Sequence, residues 1–361
     1  MNLIQTIFLF LGLLNNNHPG PKPNNWAKAA DSAQLALNTQ FWSASEQYYK
    51  QNNDGHTGYN YWWNAHALDV LVDGYLRTKD PAYTTRMNAL FDGMYKKNGY
   101  TWTNKYFNDM EWMALACIRA YDATHDAKYK ELAQGLWDHI KTGWTSLHGG
   151  GIIWQTGDPS VKNACSNGPA MIIAARMYKL NKNEDDLDWA KRIFVWQQAY
   201  LVDTSRGIVW DGWGNYKETG IYTYNQGTWV GGTLELYTIT RDEMYLQSAI
   251  KTAGFIINDR QRFSPEGILK GEGNGDGGLY KGIFIRYLVQ LIQQGRLDRA
   301  TKTAWLQYLT TNGERLLSNA TYRPDFVFNT NWSTPPESPK MDCSIHLSAT
   351  MLLEALATVS K

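Results

Sequence analysis

Hydrophobic positions along the chain fall into two alternating kinds of segment. In AHALDVLVDGYL, EWMALACIRAY, GPAMIIAARMY and WVGGTLELY the residues are small and apolar nearly all round, the pattern of a helix buried on most faces. The segments that follow them are amphipathic, as helices with one wet face should be. GGLYKGIFIRYLVQLI and SIHLSATMLLEALATV bring the buried kind to six. The joints between the two kinds carry a repeat, Y-x-x-T-x-D-x-x-Y, at Tyr75 to Tyr83 (YLRTKDPAY), Tyr121 to Tyr129 (YDATHDAKY) and Tyr237 to Tyr245 (YTITRDEMY). A looser copy with an insertion begins at Tyr178, and the stretch from Leu291 fits the same frame without the Thr or Asp. The first Tyr of the four copies recurs at intervals of 46, 57 and 59 residues, a period that signals an array of helical units. Each copy reads as the end of a buried helix, a turn, and the cap of the next helix; Asp80 followed by Pro81 has the chemistry of an N-cap and first helical residue. Six buried and six amphipathic helices predict an all-α fold, an (α/α)6 barrel, with the opening helix Asn25 to Gln40 as outer partner of the last buried one. An open solenoid is the alternative, and the long irregular inserts favour closure.

Those inserts, Gln51 to Asn64, Tyr95 to Phe107, Gly143 to Asn163, Leu201 to Tyr224 and Phe263 to Leu279, each separate an outer helix from the next inner one. They therefore share one end of the barrel, the candidate functional face. They hold Trp102, Trp144, Trp154, Trp210 and Trp213. The surplus is general: 16 Trp, 22 Tyr and 11 Phe make 14% of 361 residues, more than a core requires. Aromatic faces in a chain of net charge +1 suit the apolar faces of sugar rings, and the same neutrality excludes polyanion binding through a global field. Cys117, Cys165 and Cys343 are odd in number and far apart, which fits neither a disulfide framework nor a thiolate metal site. Residues 1–25 read as a signal segment and linker: Leu3 to Leu14 is too short to span a bilayer and has the length of a signal-peptide apolar region, and Pro19, Pro21 and Pro23 follow. Export is the expectation, with a single domain over residues 26–361.

The strings WWNAHALDVLVDGYLRT, FNDMEWMALACIRAYDAT, GGGIIW, KNACSNGPAMIIAARMY, YNQGTWVGG and GDGGLYKGIFIRY, in this order and spacing, resemble glycoside hydrolase family 76, the α-1,6-mannanases. The resemblance runs from about Trp26 to the end. It implies an (α/α)6 toroid with an open cleft, retaining hydrolysis of α-1,6-linked mannan, no cofactor, and catalysis by two consecutive aspartates at the start of an inner helix. Here the sequence departs from the family, with Asn108-Asp109 ahead of the M-E-W string. The resemblance makes Asn108 the nucleophile position and Asp109 the general acid/base. Retention needs two carboxyl groups about 5–5.5 Å apart, and an amide cannot usefully form the glycosyl ester, so turnover rather than binding is put in question. Two adjacent acids at a helix N-terminus would push each other's pKa apart; with Asn108 that mutual tuning is expected to be lost.

Trp102, Trp154 and Trp213 are the expected stacking residues, and Asn163, Tyr224, Asn225, Gln226 and Asp276 the expected hydroxyl binders. For these amides and for Asn167, helix capping is the competing reading, and for Asp276 a loop turn. Glu111 points about 200° round the helix from Asp109, which favours a supporting place in the core. His66 and His346 read as core histidines. Asp342, Cys343 and His346 are too few ligands for a metal. The chain is expected to act as a monomer on α-1,6-mannooligosaccharides, without nucleic acid or membrane span. The alternatives are a non-hydrolytic mannan-binding relative, an inactivated variant, or a sugar epimerase on the same toroid that would use His66 and His346 as bases.

Overall fold

The computed structural model describes residues 23–55, 58–212 and 220–359; the apolar run Leu3 to Leu14 and Trp213 lie outside them. Twelve α-helices occur among the described residues. Six form an inner ring: α2 (Tyr61–Thr78), α4 (Phe107–Thr124), α6 (Ala164–Asn181), α8 (Thr223–Thr240), α10 (Gly277–Gln294) and α12 (Cys343–Val359). Six lie outside them: α1 (Pro23–Ala36), α3 (Pro81–Lys97), α5 (Ala127–Lys141), α7 (Glu184–Leu201), α9 (Glu243–Asn258) and α11 (Arg299–Asn319). Each inner helix packs on the next in chain order, α12 packs back on α2, and α1 covers α12. This is the closed (α/α)6 barrel expected from the repeat, not an open solenoid. The opening outer helix ends in a π-helical turn, Leu37–Phe41. Strand structure among the described residues is three two-residue antiparallel hairpins, β1–β2 (Trp42–Ser43, Tyr48–Tyr49), β3–β4 (Val202–Asp203, Ile208–Val209) and β5–β6 (Thr321–Tyr322, Val327–Phe328).

Every residue fixed by the repeat has a local task. The carbonyls of Tyr75, Tyr121 and Tyr237 accept from the N–H of Lys79, His125 and Arg241, which stop the inner helices in the left-handed conformation. Thr78, Thr124 and Thr240 donate to the carbonyl four residues back and accept the N–H of the coming Asp. Asp80, Asp126 and Asp242 then cap α3, α5 and α9, which satisfies a donor that a helix start otherwise leaves unpaired. The looser copy does the same with Lys182 and Asn183. The closing tyrosines, Tyr83, Tyr129 and Tyr245, pack back on the barrel wall.

A second device recurs without a visible sequence signature. Asn64, Asn167 and Gln226 sit in the first turn of inner helices and clamp the segment that leads into each of them. Asn64 accepts the N–H of Tyr49 at 2.8 Å and donates to its carbonyl at 3.0 Å. Asn167 does this to Ile152 at 2.9 and 3.0 Å, and Gln226 to Val209 at 2.8 and 2.6 Å. All three amides are buried, so losing one strands two backbone groups.

The inner helices approach closely because small residues line their contacts. A Cβ added to Gly227 would come within 2.7 Å of the Phe284 Cα, and one added to Gly282 within 2.6 Å of the Ser348 Cα. Away from the inserts, ions fill the axis: Asp73 of α2 accepts from Arg119 of α4 at 2.6 Å and from Arg286 of α10 at 2.8 Å, and Arg119 also pairs with Asp69. Arg77 joins α2 to Glu354 of α12 at 2.7 Å.

Left-handed backbone costs a residue with a Cβ about 1–2 kcal/mol and a glycine almost nothing. Lys79, His125, Lys182 and Arg241 adopt it, at φ 57–63°. Replacing any of them by Gly is expected to raise stability by about 0.5–1 kcal/mol, read as a higher urea midpoint at unchanged slope, with the four effects adding.

Candidate active site

The inner helices run in one direction because each outer helix carries the chain back. Their N-termini therefore surround one mouth of the barrel, where a cavity of about 620 Å³ opens. First-turn residues build much of its wall: Tyr61 and Trp62 of α2, Asn108 and Asp109 of α4, Cys165 of α6 behind its cap Asn163, Tyr224 of α8, and Tyr280 of α10 behind Asp276. Trp112 lies one turn deeper. From the inserts come Tyr59, Asn104, Tyr106, Trp154 and Asp211.

Asp109 is gripped by two amides. Its Oδ2 accepts from Asn104 at 2.8 Å and its Oδ1 from Asn108 at 3.3 Å. Burial, then the negative charge of Asp276, push its pKa up to about 7, against the opposing hydrogen bond from Asn104. Asn108 leaves its Oδ1 buried without a hydrogen-bond partner. Asp276 accepts on Oδ1 from the indole N–H groups of Trp62 at 3.1 Å and Trp63 at 2.8 Å. Asp211 accepts from Asn225 at 2.7 Å and the Tyr224 hydroxyl at 3.3 Å, and burial raises its pKa. The aromatic lining is paired: Tyr224 stacks on Tyr280 at 4.1 Å, Tyr106 lies against Trp154 at 4.9 Å, and Trp62 tilts toward Trp112 at 6.3 Å. An acid still about half protonated at neutral pH, among aromatic faces and amides, can protonate a leaving oxygen on a ring stacked in the cleft.

Of the residues singled out in the sequence, Asn108, Asp109, Trp154, Asn163, Tyr224 and Asp276 line this cavity. Trp102 does not. It packs on Phe91 and Tyr95 at the flank, with only its carbonyl held by the Tyr61 hydroxyl at 2.9 Å. Gln226 is fully buried with its amide committed to Val209 and Tyr222, so it is a clamp and not a wall residue. Asn225 is also buried and acts through Asp211. Trp213 lies outside the described residues. Asn163 both caps α6, accepting from the Ser166 N–H at 3.2 Å, and lines the cleft. Glu111 is buried below the site with both carboxylate oxygens unpartnered; burial and the Asp109 charge hold its pKa well above the usual range.

Neither His66 nor His346 lines this cavity; His148 borders the adjoining pocket, which shares Trp154, Asn163 and Asp211 with it. His66 is wedged against Trp62 and Trp112, and His346 bonds to the Ala33 carbonyl at 2.9 Å; burial lowers the pKa of both. The epimerase reading thereby loses its bases. Sequence reasoning missed Tyr59, Trp62, Asn104, Trp112, Asp211 and Tyr280. A rule that the first turn of each inner helix faces the cleft would have found Trp62 and Tyr280, and Asp211 stood out as an acid between Trp210 and Trp213.

The family model of glycosyl hydrolase family 76 matches residues 25–359. Among solved structures, the chain is similar to the α-1,6-mannanase of Salegentibacter sp. HEL1_6, at 40% identity over 92% of this chain and 99% of that one, with a TM-score of 0.88. It is equally similar to a variant of that enzyme inactivated by replacing two adjacent aspartates with asparagine and bound to α-1,6-mannotriose, at 40% identity, TM-score 0.88 and the same coverage. A putative mannan endo-1,6-alpha-mannosidase of Schizosaccharomyces pombe is 27% identical over 74% of this chain and 66% of its own length. The chain thus matches just under two thirds of that curated fungal relative.

An acid whose pKa is raised in the folded state stabilises the fold below its unfolded pKa and loses that contribution as pH rises through the folded value. For Asp109 the window runs from about pH 4 to about pH 7. Asp109→Asn, which cannot ionise, is expected to leave the melting temperature near wild type at pH 4 and raise it at pH 8. An equal shift at both pH values would show that burial does not hold the proton on Asp109.

Proposed function

The chain belongs to glycosyl hydrolase family 76, and from that membership we propose that it is an endo-acting glycoside hydrolase of α-1,6-linked mannan, with Asp109 as general acid and residue 108 at the position of the nucleophile. The observation that carries this reading is the state of Asp109. It sits in the first turn of an inner helix beside Asn108, at the floor of an aromatic cleft, with a pKa of about 7. A proton retained there is what departure of the mannosyl O6 requires. The Salegentibacter enzyme inactivated at two adjacent aspartates and holding mannotriose supports placing the chemistry on the 108–109 pair.

Trp154, Tyr106 and the Tyr224–Tyr280 stack offer faces to pyranose rings, and Asn163, Asn104 and Asp276 offer partners to their hydroxyls. No metal or cofactor enters the scheme. Among the described residues no helix is long and apolar enough to cross a membrane. A polymeric substrate fits a secreted enzyme, the fate that the Leu3 to Leu14 run suggests. Asn108 specifically favours a second reading, a mannan-binding relative that turns over slowly, because binding needs the aromatic walls and amides but not the nucleophile.

Calorimetry with α-1,6-mannotetraose is expected to show saturable binding that falls about tenfold in Tyr280→Ala, in line with the loss of one aromatic stack. Absence of heat would refute the substrate class. Asn108→Asp is expected to raise initial rates on unbranched α-1,6-mannan by several orders of magnitude with little change in affinity, since a covalent nucleophile divides the barrier into two smaller ones. An unchanged rate would refute the assignment of position 108.

A further inference from the structure

The cavity wall holds three carboxyl groups, Asp109, Asp211 and Asp276, and the amide at 108 closes the covalent route. The order of the inner ring decides which of them can work opposite Asp109. Counting round from α2, the helix α4 is second and α10 is fifth, so they face each other across the barrel axis. Asp109 stands in the first turn of α4, and Asp276 is the residue immediately before α10. The two carboxyl groups therefore meet the same cavity from opposite walls.

Their surroundings divide the labour. Asp109 is half-buried in the cleft wall, where desolvation raises its pKa to about 7, and the negative charge of Asp276 is the next contribution. Asp276 is exposed to solvent in the mouth. Its two hydrogen bonds come from uncharged indoles, and both fall on Oδ1. Asp211 is the less suitable partner: Asn225 and Tyr224 occupy it, and its burial favours the protonated form. Inverting glycosidases place their acid and base about 6.5–9.5 Å apart to admit a water between base and sugar, which residues on opposite walls allow and adjacent residues do not.

Resting on the substrate reading above, we propose that Asp276 supplies the second carboxylate of this chain, acting as a general base on water so that α-1,6-mannan is cleaved with inversion. The water oxygen forms a bond to the anomeric carbon as the bond from that carbon to O6 of the departing mannose breaks. A water proton passes to Asp276, and the proton of Asp109 passes to O6. Exchange with solvent then returns Asp276 to its carboxylate and Asp109 to its acid. The family's covalent ester is bypassed, and Asn108 need only hold Asp109.

Proton NMR of the new reducing end, recorded in the first minutes with saturating α-1,6-mannotetraose, reads the stereochemistry directly. The unaltered chain is expected to release the β-anomer first. Initial release of the α-anomer, or binding by calorimetry with no cleavage, would overturn the role of Asp276 while leaving the substrate class standing; no binding at all would overturn both. Asp276→Asn should lower kcat by about 10²–10⁴-fold, the usual contribution of a general base, with KM within a few-fold. A loss confined to KM, or a larger fall in kcat from Asp211→Asn, would overturn the assignment. If Asp276→Asn does not fold, Asp276→Glu keeps an acceptor for the indoles and should still release the β-anomer at a reduced rate; α-anomer from it would overturn the proposal. Asn108→Asp, which restores the adjacent pair, should switch the first product to the α-anomer.

Discussion

Six parallel helices packed into a closed ring must bring six N-termini to one mouth and six C-termini to the other. Each start presents unpaired N–H groups and the positive end of a dipole; each finish presents carbonyls and the negative end. The side chains follow that polarity. Asp109 and Asp276 stand at the starts, while Arg77, Arg119, Arg176 and Arg286 lie in the later halves of their helices. The arginines meet Asp69, Asp73, Glu235 and Glu354 and close the axis with ion pairs. A plugged base and an open mouth thus follow from helix direction, and helix direction follows from the repeat.

Burial acts on Asp109 more strongly than any single neighbour. With an amide at 108 the mutual tuning of an adjacent acid pair is absent, yet the desolvating site raises the pKa of Asp109 without a second carboxylate beside it, and the charge across the cleft adds to the effect. The Asp109 carboxyl is therefore tuned by the cavity and not by its adjacent residue. Glu111, more deeply placed and with no hydrogen bond to either oxygen, shows the same desolvation carried further.

The fold was legible because its signals are local. An apolar segment, a tyrosine, a threonine two residues before an aspartate, and an amphipathic segment specify a helix, a stop, a cap and a return, and the chain repeats them. The Asn108–Asp109 pair stood out through the family resemblance rather than through spacing, which reads equally as a helix cap, and both residues line the cavity. What was not legible depended on side-chain direction. Trp102 has the composition of a stacking residue yet turns outward to Phe91 and Tyr95. Gln226 has the chemistry of a hydroxyl binder yet is spent on Val209. Trp62 and Tyr280 look in sequence like ordinary members of buried helices, and only the ring turns their first-turn positions into cleft walls.

Asn64, Asn167 and Gln226 hold the segments that lead into their helices by backbone N–H and carbonyl groups alone. Such a grip is indifferent to the side chains of the segment it holds. Loops can then be exchanged between relatives, or rewritten from one clamp to the next, without loosening the frame. The barrel serves as a chassis with interchangeable rims, and substrate range can drift in the loops while the acid at the centre keeps its environment.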